Sequence, residues 1–218
     1  MSKTTKTATV VTTLDNGQGT NFGGDLMTQN ENERNYENLI RGLRQLAADV
    51  IPIAAKTTGL ATTNLPTIDI VLVPDNHWRT TQDNIPLAHK YDDNTWREVK
   101  AVAIYTPCTF ADRLRIYEEL QKRDPHLNYD SRLDYNAMIF IHQPRKPTTS
   151  QEEIKCVTEL YLGIASACFP LAAIATVNGY GISPILDPLT DQNACDALDQ
   201  LASKLTPEEF RARYCPVL

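Results

Sequence analysis

Glycine is scarce in this chain, with nine in 218 residues, and four of the nine fall within residues 15–25. Little glycine is left elsewhere for loops that cradle phosphate groups. Within that stretch Gly17 and Gly19 begin a dinucleotide-binding pattern, but Phe22 stands where its third glycine belongs. The stretch therefore predicts a hairpin or a flexible arm, not a nucleotide site.

The sequence also lacks a long apolar run. The longest, residues 160–177, is interrupted by Gly163, Ser166 and Pro170 and stays below the roughly 20 residues of a membrane span. The first 13 residues lack the apolar core of a signal peptide. Five widely spaced cysteines form no C-x-x-C pair, which indicates reduced thiols. We expect no export and no membrane partner.

Clustered positive charge is absent, and the net charge is -6. A protein that binds nucleic acid without sequence preference displaces counterions with clustered Lys and Arg, so this class is disfavoured. A local basic patch remains possible around the strand predicted near residue 140. The candidate nucleic-acid-binding residues are Arg132, Arg145 and Lys146.

A strand followed by a helix is the clearest pattern in the chain. Residues 137–142 are an apolar strand stopped by Pro144, and Ser150 with Glu153 has the spacing of a capping box. The helix that follows is predicted to end at Pro170. Its apolar face needs a sheet or a second chain to cover it, and we predict that a copy of the chain does so. The predicted interface residues are Ile154, Val157, Leu160, Tyr161 and Ile164.

The remaining elements predict a mixed α and β protein. Strands are expected at 67–73 and 98–106, an end strand at 7–14, and helices at 30–50, 109–122, 190–205 and from 206 onward. Residues 75–94 are expected to form a long polar loop. The predicted fold class is α+β, with an antiparallel or mixed sheet of about four strands and helices on one face. Residues 1–30 would form an arm and residues 31–218 one domain, whose C-terminal helices complete a dimer.

No catalytic motif is present, and no catalytic residue, metal site or cofactor is predicted. An alternative stays open, in which a cytosolic α/β enzyme carries its site on loops after strands. Cys108 would lie near a helix N-terminus, where a thiolate is favoured. Imidazole and carboxylate groups in the same region suit zinc or manganese. These candidate residues are Asp75, His77, His89, Asp92, Asp93, Cys108 and His142.

Three pieces of the sequence resemble the coat proteins of single-stranded RNA bacteriophages. They are YNAMIFIHQP, TTSQEEIKCVTELYLGIASA and the final PEEFRARYCPVL. The resemblance implies a strand in an antiparallel sheet that lines a capsid, and helices that cross a partner's sheet in an interlocked dimer. The chain is longer than that family and has extra helices, so no RNA-contacting residue is carried over.

The expected function is that of a self-assembling structural protein, a viral or phage coat subunit that encloses nucleic acid. Its partners would be copies of itself, in a homodimer and a higher assembly, and RNA. Its location would be the virion and the host cytoplasm. The alternatives are the cytosolic enzyme and an adaptor module that binds another protein.

Overall fold

The structure is a computed structural model that describes residues 25–63, 65–84, 98–105, 118, 122, 135–143, 149–177 and 179–214, with side chains from residue 34 onward except 82–84. The end strand expected at 7–14 lies outside the described residues, as does nearly all of the helix expected at 109–122.

Among the described residues, four strands form one mixed sheet in the order β1-β3-β2-β4. They are β1 (Ile68–Val73), β2 (Ala101–Tyr105), β3 (Ala137–His142) and β4 (Gly181–Ile185). β3 runs parallel to β1, and β2 is antiparallel to both β3 and β4. This confirms the predicted α+β class and its sheet of about four strands, whereas the predicted dimer stays a prediction. The parallel pair departs from the antiparallel sheet that the phage-coat resemblance implies.

The first helix, α1 (Asp25–Thr57), is longer at both ends than the predicted 30–50. From the sequence, Pro52 is expected to close the helix predicted at 30–50, and that expectation is wrong, because Pro52 lies inside α1. A proline removes one backbone hydrogen bond, but Ala54 and Ala55 beyond it are fully buried and hold the helix on the core. The helix ends at Thr57, and Gly59, two residues later, has a φ of 70°, the left-handed conformation that glycine commonly adopts just after a helix.

The next helix, α2 (Asp75–Asn84), replaces the first half of the loop predicted at 75–94. It is mostly polar, so its sequence carries no apolar stripe that would predict a helix. Asp75 lies in its first turn, where a carboxylate is favourable, and Trp78 is buried at 8% exposure. Trp78 anchors this short helix.

The main helix, α3 (Ser150–Thr176), begins where predicted but continues past Pro170. Its N-cap is Thr149, one residue before the predicted Ser150, and the Thr149 hydroxyl accepts from the Glu152 amide at 3.2 Å. Leu171 and Ala172 are fully buried and keep the last turns on the core. By length and composition α3 could also cross a membrane, but 61% of that apolar stretch is buried inside the chain.

The C-terminal part contains an edge strand and two helices, α4 (Gln192–Ala202) and α5 (Pro207–Tyr214). The edge strand β4 was not predicted, because Gly181 and Pro184 indicate a chain break. An edge strand tolerates proline, and Gly181 lets the strand approach α3, since a Cβ there would lie 2.5 Å from Ile174 Cδ1. The sequence Thr206-Pro207-Glu208-Glu209 predicts an N-cap at Thr206, and this is confirmed, because Thr206 and Glu209 each accept a hydrogen bond from the other's amide.

Apolar side chains alternate between the two faces of the sheet. One face, with Ile70 and Ile139, joins α1, α3, α4 and α5 in the main core. The other face, with Val73 and Val102, forms a smaller cluster around Trp78 of α2. Of the helices that the structure describes, four pack on the first face as predicted, and α2 packs on the other face.

Alkaline pH is expected to destabilise the fold. Burial raises the pKa of the Cys168 thiol, and burial followed by the hydrogen bond to Asp49 raises the pKa of Tyr214 to about 12. The folded chain therefore holds these protons more tightly than the unfolded chain does. Stability is unaffected below their ordinary pKa values and falls as the pH rises toward 12. Urea unfolding at pH 8 and pH 11 should show a lower midpoint at pH 11, with a smaller drop for Tyr214→Phe; equal midpoints would contradict this.

Candidate functional site

An apolar groove lies between the start of α3 and the α4–α5 corner. Its volume is about 630 Å³. Ile154 and Val157 of α3 form one wall, and Pro207 and Phe210 of α5 belong to the other. Ile154 is 68% exposed and lies in the first turns of α3, where residues 150–155 are all exposed. A groove of this size accepts the face of a helix or an apolar ligand.

Aromatic rings connect the α5 wall of the groove to the core. The ring of Phe210 lies 6.0 Å from that of Tyr161 and meets the ring of Tyr214 edge-on at 4.7 Å. Tyr161 and Tyr214 are both buried. Such contacts hold the rings in defined positions, so the wall supplied by α5 is a fixed surface.

α5 itself is fastened to α1 by Asp49. Arg213 donates from Nε and Nη2 to the two carboxylate oxygens at 2.9 and 3.1 Å, and the Tyr214 hydroxyl donates to Oδ2 at 2.8 Å. The contact joins residues 165 positions apart in the sequence. It fixes the position of the α5 wall relative to the rest of the fold.

Two opposite charges stand on the walls of the groove. Glu153 lies on the α3 wall and Arg211 on the α5 wall, and both are exposed. Within the described part of the chain, neither side chain has an ion-pair or hydrogen-bond partner, unlike Arg213 with Asp49 or Lys155 with Glu159. In the described structure the groove therefore carries one carboxylate, on Glu153, and one guanidinium, on Arg211, that lack an ion-pair partner.

The five predicted interface residues fall into two groups. Ile154, Val157 and Tyr161 line the groove. Leu160 and Ile164 are buried inside the chain at 9% and 0% exposure. The surface that α3 offers to a second chain is thus its first two turns, while its later turns pack on the chain's own sheet and helices. The predicted self-association stays a prediction.

A second site lies at the edge of the sheet where β1 and β3 end. These neighbouring strands are parallel, so Asp75, just after β1, and His142, the last residue of β3, come together. His142 Nε2 lies 3.0 Å from Asp75 Oδ1, and the Trp78 ring lies 5.4 Å from the imidazole. A carboxylate in this position orients a histidine for proton transfer. No third His, Cys, Asp or Glu joins the pair among the residues that the structure describes.

The other sequence-predicted residues do not join this pair. His77 lies on the exposed surface of α2. The remaining members lie outside the described residues: His89, Asp92, Asp93 and Cys108 from the enzyme alternative, and Arg132, Arg145 and Lys146 from the nucleic-acid prediction. Sequence reasoning missed Phe210 and Arg211, because the groove wall they form depends on how α5 packs against α3.

Compared with models of protein families, with curated proteins and with solved structures, the chain matches none of them.

Proposed function

We propose that this chain is a structural protein that assembles with copies of itself, as the coat subunit of a virus or phage does. The observation that carries the proposal is the open groove beside Ile154. An exposed apolar side chain in the wall of an open apolar groove is a feature of sites that contact another protein.

The coat interpretation has a second, weaker support in the order of elements. The strand β3 and the helix α3, followed after β4 and α4 by the helix α5, come in the order that the resemblance implies, and the groove lies between α3 and α5. The parallel pairing of β1 with β3 and the long N-terminal α1 are differences from that family. Self-assembly rests on the groove, and enclosure of nucleic acid rests on the resemblance.

Replacing Ile154 with aspartate tests self-assembly. A buried, unpaired carboxylate is strongly unfavourable in an apolar interface, so the variant should be a folded monomer where the wild type forms a dimer or a larger particle. Size-exclusion chromatography with light scattering measures the mass, and circular dichroism checks the fold. Electron microscopy and the absorbance ratio at 260 and 280 nm show whether particles form and contain nucleic acid.

The matched control for this test is Val177→Asp. Val177 is 75% exposed at the other end of α3 and does not line the groove. This variant should assemble as the wild type does. A wild-type chain that stays monomeric at micromolar concentration would refute self-assembly.

The pair of Asp75 and His142 favours a second candidate function, an enzyme in which the histidine acts as a general acid or base. The carboxyl ends of adjacent parallel strands are where ligands commonly bind in sheets with parallel strands. With Asp75 holding Nε2, the imidazole has its other nitrogen available as an acceptor or donor of a proton. Turnover of ester or phosphoester test substrates that is lost in His142→Asn and kept in His77→Asn would support the enzyme; equal effects of the two variants would count against it.

A further inference from the structure

We propose that two copies of the chain pair about a two-fold axis, with Ile154 of each copy in the groove of the other and Glu153 of each opposite Arg211 of the other. This inference rests on the proposed self-assembly and specifies its geometry.

The distribution of apolar surface supports this arrangement. In a two-fold interface the same patch is used by both chains, so every protruding group must find its complementary cavity on the identical partner. Here the protruding side chain, Ile154 at 68% exposure, belongs to the wall of the cavity itself, so both lie on one surface. Phe210, which is half-buried within the chain, would be covered by the partner's Ile154.

The charges support the same arrangement. Glu153 and Arg211 line opposite walls of the groove, and within the described part of the chain neither finds a partner of opposite sign. A two-fold rotation that packs α3 of one copy against α5 of the other places Glu153 of each copy opposite Arg211 of the other. The ion pair therefore forms twice in each dimer. Complementary charges of this kind fix the register of an interface and disfavour other partners.

The area that a stable interface buries indicates how far the contact extends beyond the groove. Stable interfaces bury about 800 Å² on each partner, which is more than one helix turn supplies. The contact must therefore continue along the exposed surfaces of α3 and α5 on either side of the groove. The axis would pass close to the first two turns of α3, where the two copies of that helix come nearest to each other.

Charge reversal tests this geometry. Glu153→Arg gives a chain with two cations across its groove, and Arg211→Glu gives a chain with two carboxylates there. Each variant alone should dimerise about tenfold or more weakly than the wild type, because two pairs of like charges meet in its homodimer. Mixed in equal amounts, the two variants should recover the wild-type mass, because both contacts in the mixed dimer join opposite charges.

The control is Glu152→Arg, the same charge change in the same helix turn on a residue that does not line the groove. It should keep the wild-type dimerisation constant, and circular dichroism should show all three variants folded. Analytical ultracentrifugation measures the masses of the separate variants and of the mixture.

The possible outcomes separate this inference from the proposed function. If the wild type assembles and the single reversals have no effect, or the mixture stays monomeric, the two-fold pairing is wrong while self-assembly stands. If the mixture forms longer alternating chains, the contact is head-to-tail and the two-fold pairing is again wrong. If the wild type is a monomer at micromolar concentration, or takes up another protein or an apolar ligand in the groove instead, both proposals fail.

Discussion

Replacing Arg44 with alanine is expected to lower the free energy of unfolding by about 3 to 5 kcal/mol, because it leaves a buried carboxylate without its counter-ion. Asp69 in β1 is 1% exposed. Arg44 Nε donates to Asp69 Oδ1 at 2.8 Å, and Arg44 Nη2 forms an ion pair with the same oxygen at 2.6 Å. Without the guanidinium, the donor that remains for this oxygen in the described structure is the Ile70 amide, at 2.8 Å.

Two further variants isolate the ion pair from the loss of the side chain itself. Arg41 lies one turn earlier on α1, is exposed and bonds only to Asn38 among the described residues, so Arg41→Ala should cost about 0.5 kcal/mol or less. Arg44→Ala combined with Asp69→Asn should be more stable than Arg44→Ala alone, because no buried charge is left. Urea unfolding followed by circular dichroism gives the three values. Equal urea midpoints for Arg44→Ala and Arg41→Ala would show that the pair contributes little.

The position of Asp69 shows what sequence reasoning can and cannot determine. An acid inside the strand pattern of residues 67–73 indicates either an edge position or a buried charge with a partner. The structure combines the two, since β1 lies at the edge of the sheet formed by the described residues and Asp69 is buried against Arg44. The strand follows from local pattern, but the partner lies 25 residues away and depends on how α1 crosses the sheet.

The two prolines inside helices show a similar limit. Pro52 and Pro170 predict helix ends, because a proline removes a hydrogen bond and clashes with the preceding turn. In both helices the turn beyond the proline carries fully buried residues, such as Ala54 and Leu171. Burial in the core offsets the local cost, and the sequence alone does not show which surface will be buried.

The candidate sites also combine residues that the local sequence predicts with residues that only the tertiary packing brings together. Ile154 and Val157 were predicted from the helical period of one segment, and they do line the groove. The opposite wall was not predicted, because Phe210 reaches it only through the packing of α5 on α3. Asp75 and His142 were both candidates for the enzyme alternative, and the parallel register of β1 with β3 is what brings them to 3.0 Å.

Replacing Asp49 with alanine is expected to cost about 2 to 3 kcal/mol and to release α5. Asp49 accepts three hydrogen bonds from α5, two from Arg213 and one from Tyr214. Bonds to a charged group contribute about 1.5 to 3 kcal/mol each, but Arg213 is 47% exposed, and solvent weakens its share. The Tyr214 ring, 1% exposed, would keep its apolar contacts but lose the acceptor for its hydroxyl.

Asp196→Ala is the control for this loss, because Asp196 is exposed and accepts a bond from Gln192 one turn earlier in the same helix. That variant should change stability by about 0.5 kcal/mol or less. Limited proteolysis should cut Asp49→Ala within residues 203–214 before it cuts the wild type, and hydrogen exchange should show faster exchange of the α5 amides.

The same substitution links the stability of the fold to the proposed assembly. α5 carries Phe210 and Arg211, so a chain that releases α5 loses one wall of its groove together with the base expected to meet Glu153 of the partner. Asp49→Ala should therefore weaken self-association about as much as Arg211→Glu does, although Asp49 does not line the groove. A variant that exposes α5 to proteolysis and still dimerises with the wild-type constant would show that the partner binds elsewhere, and the groove would then need another occupant.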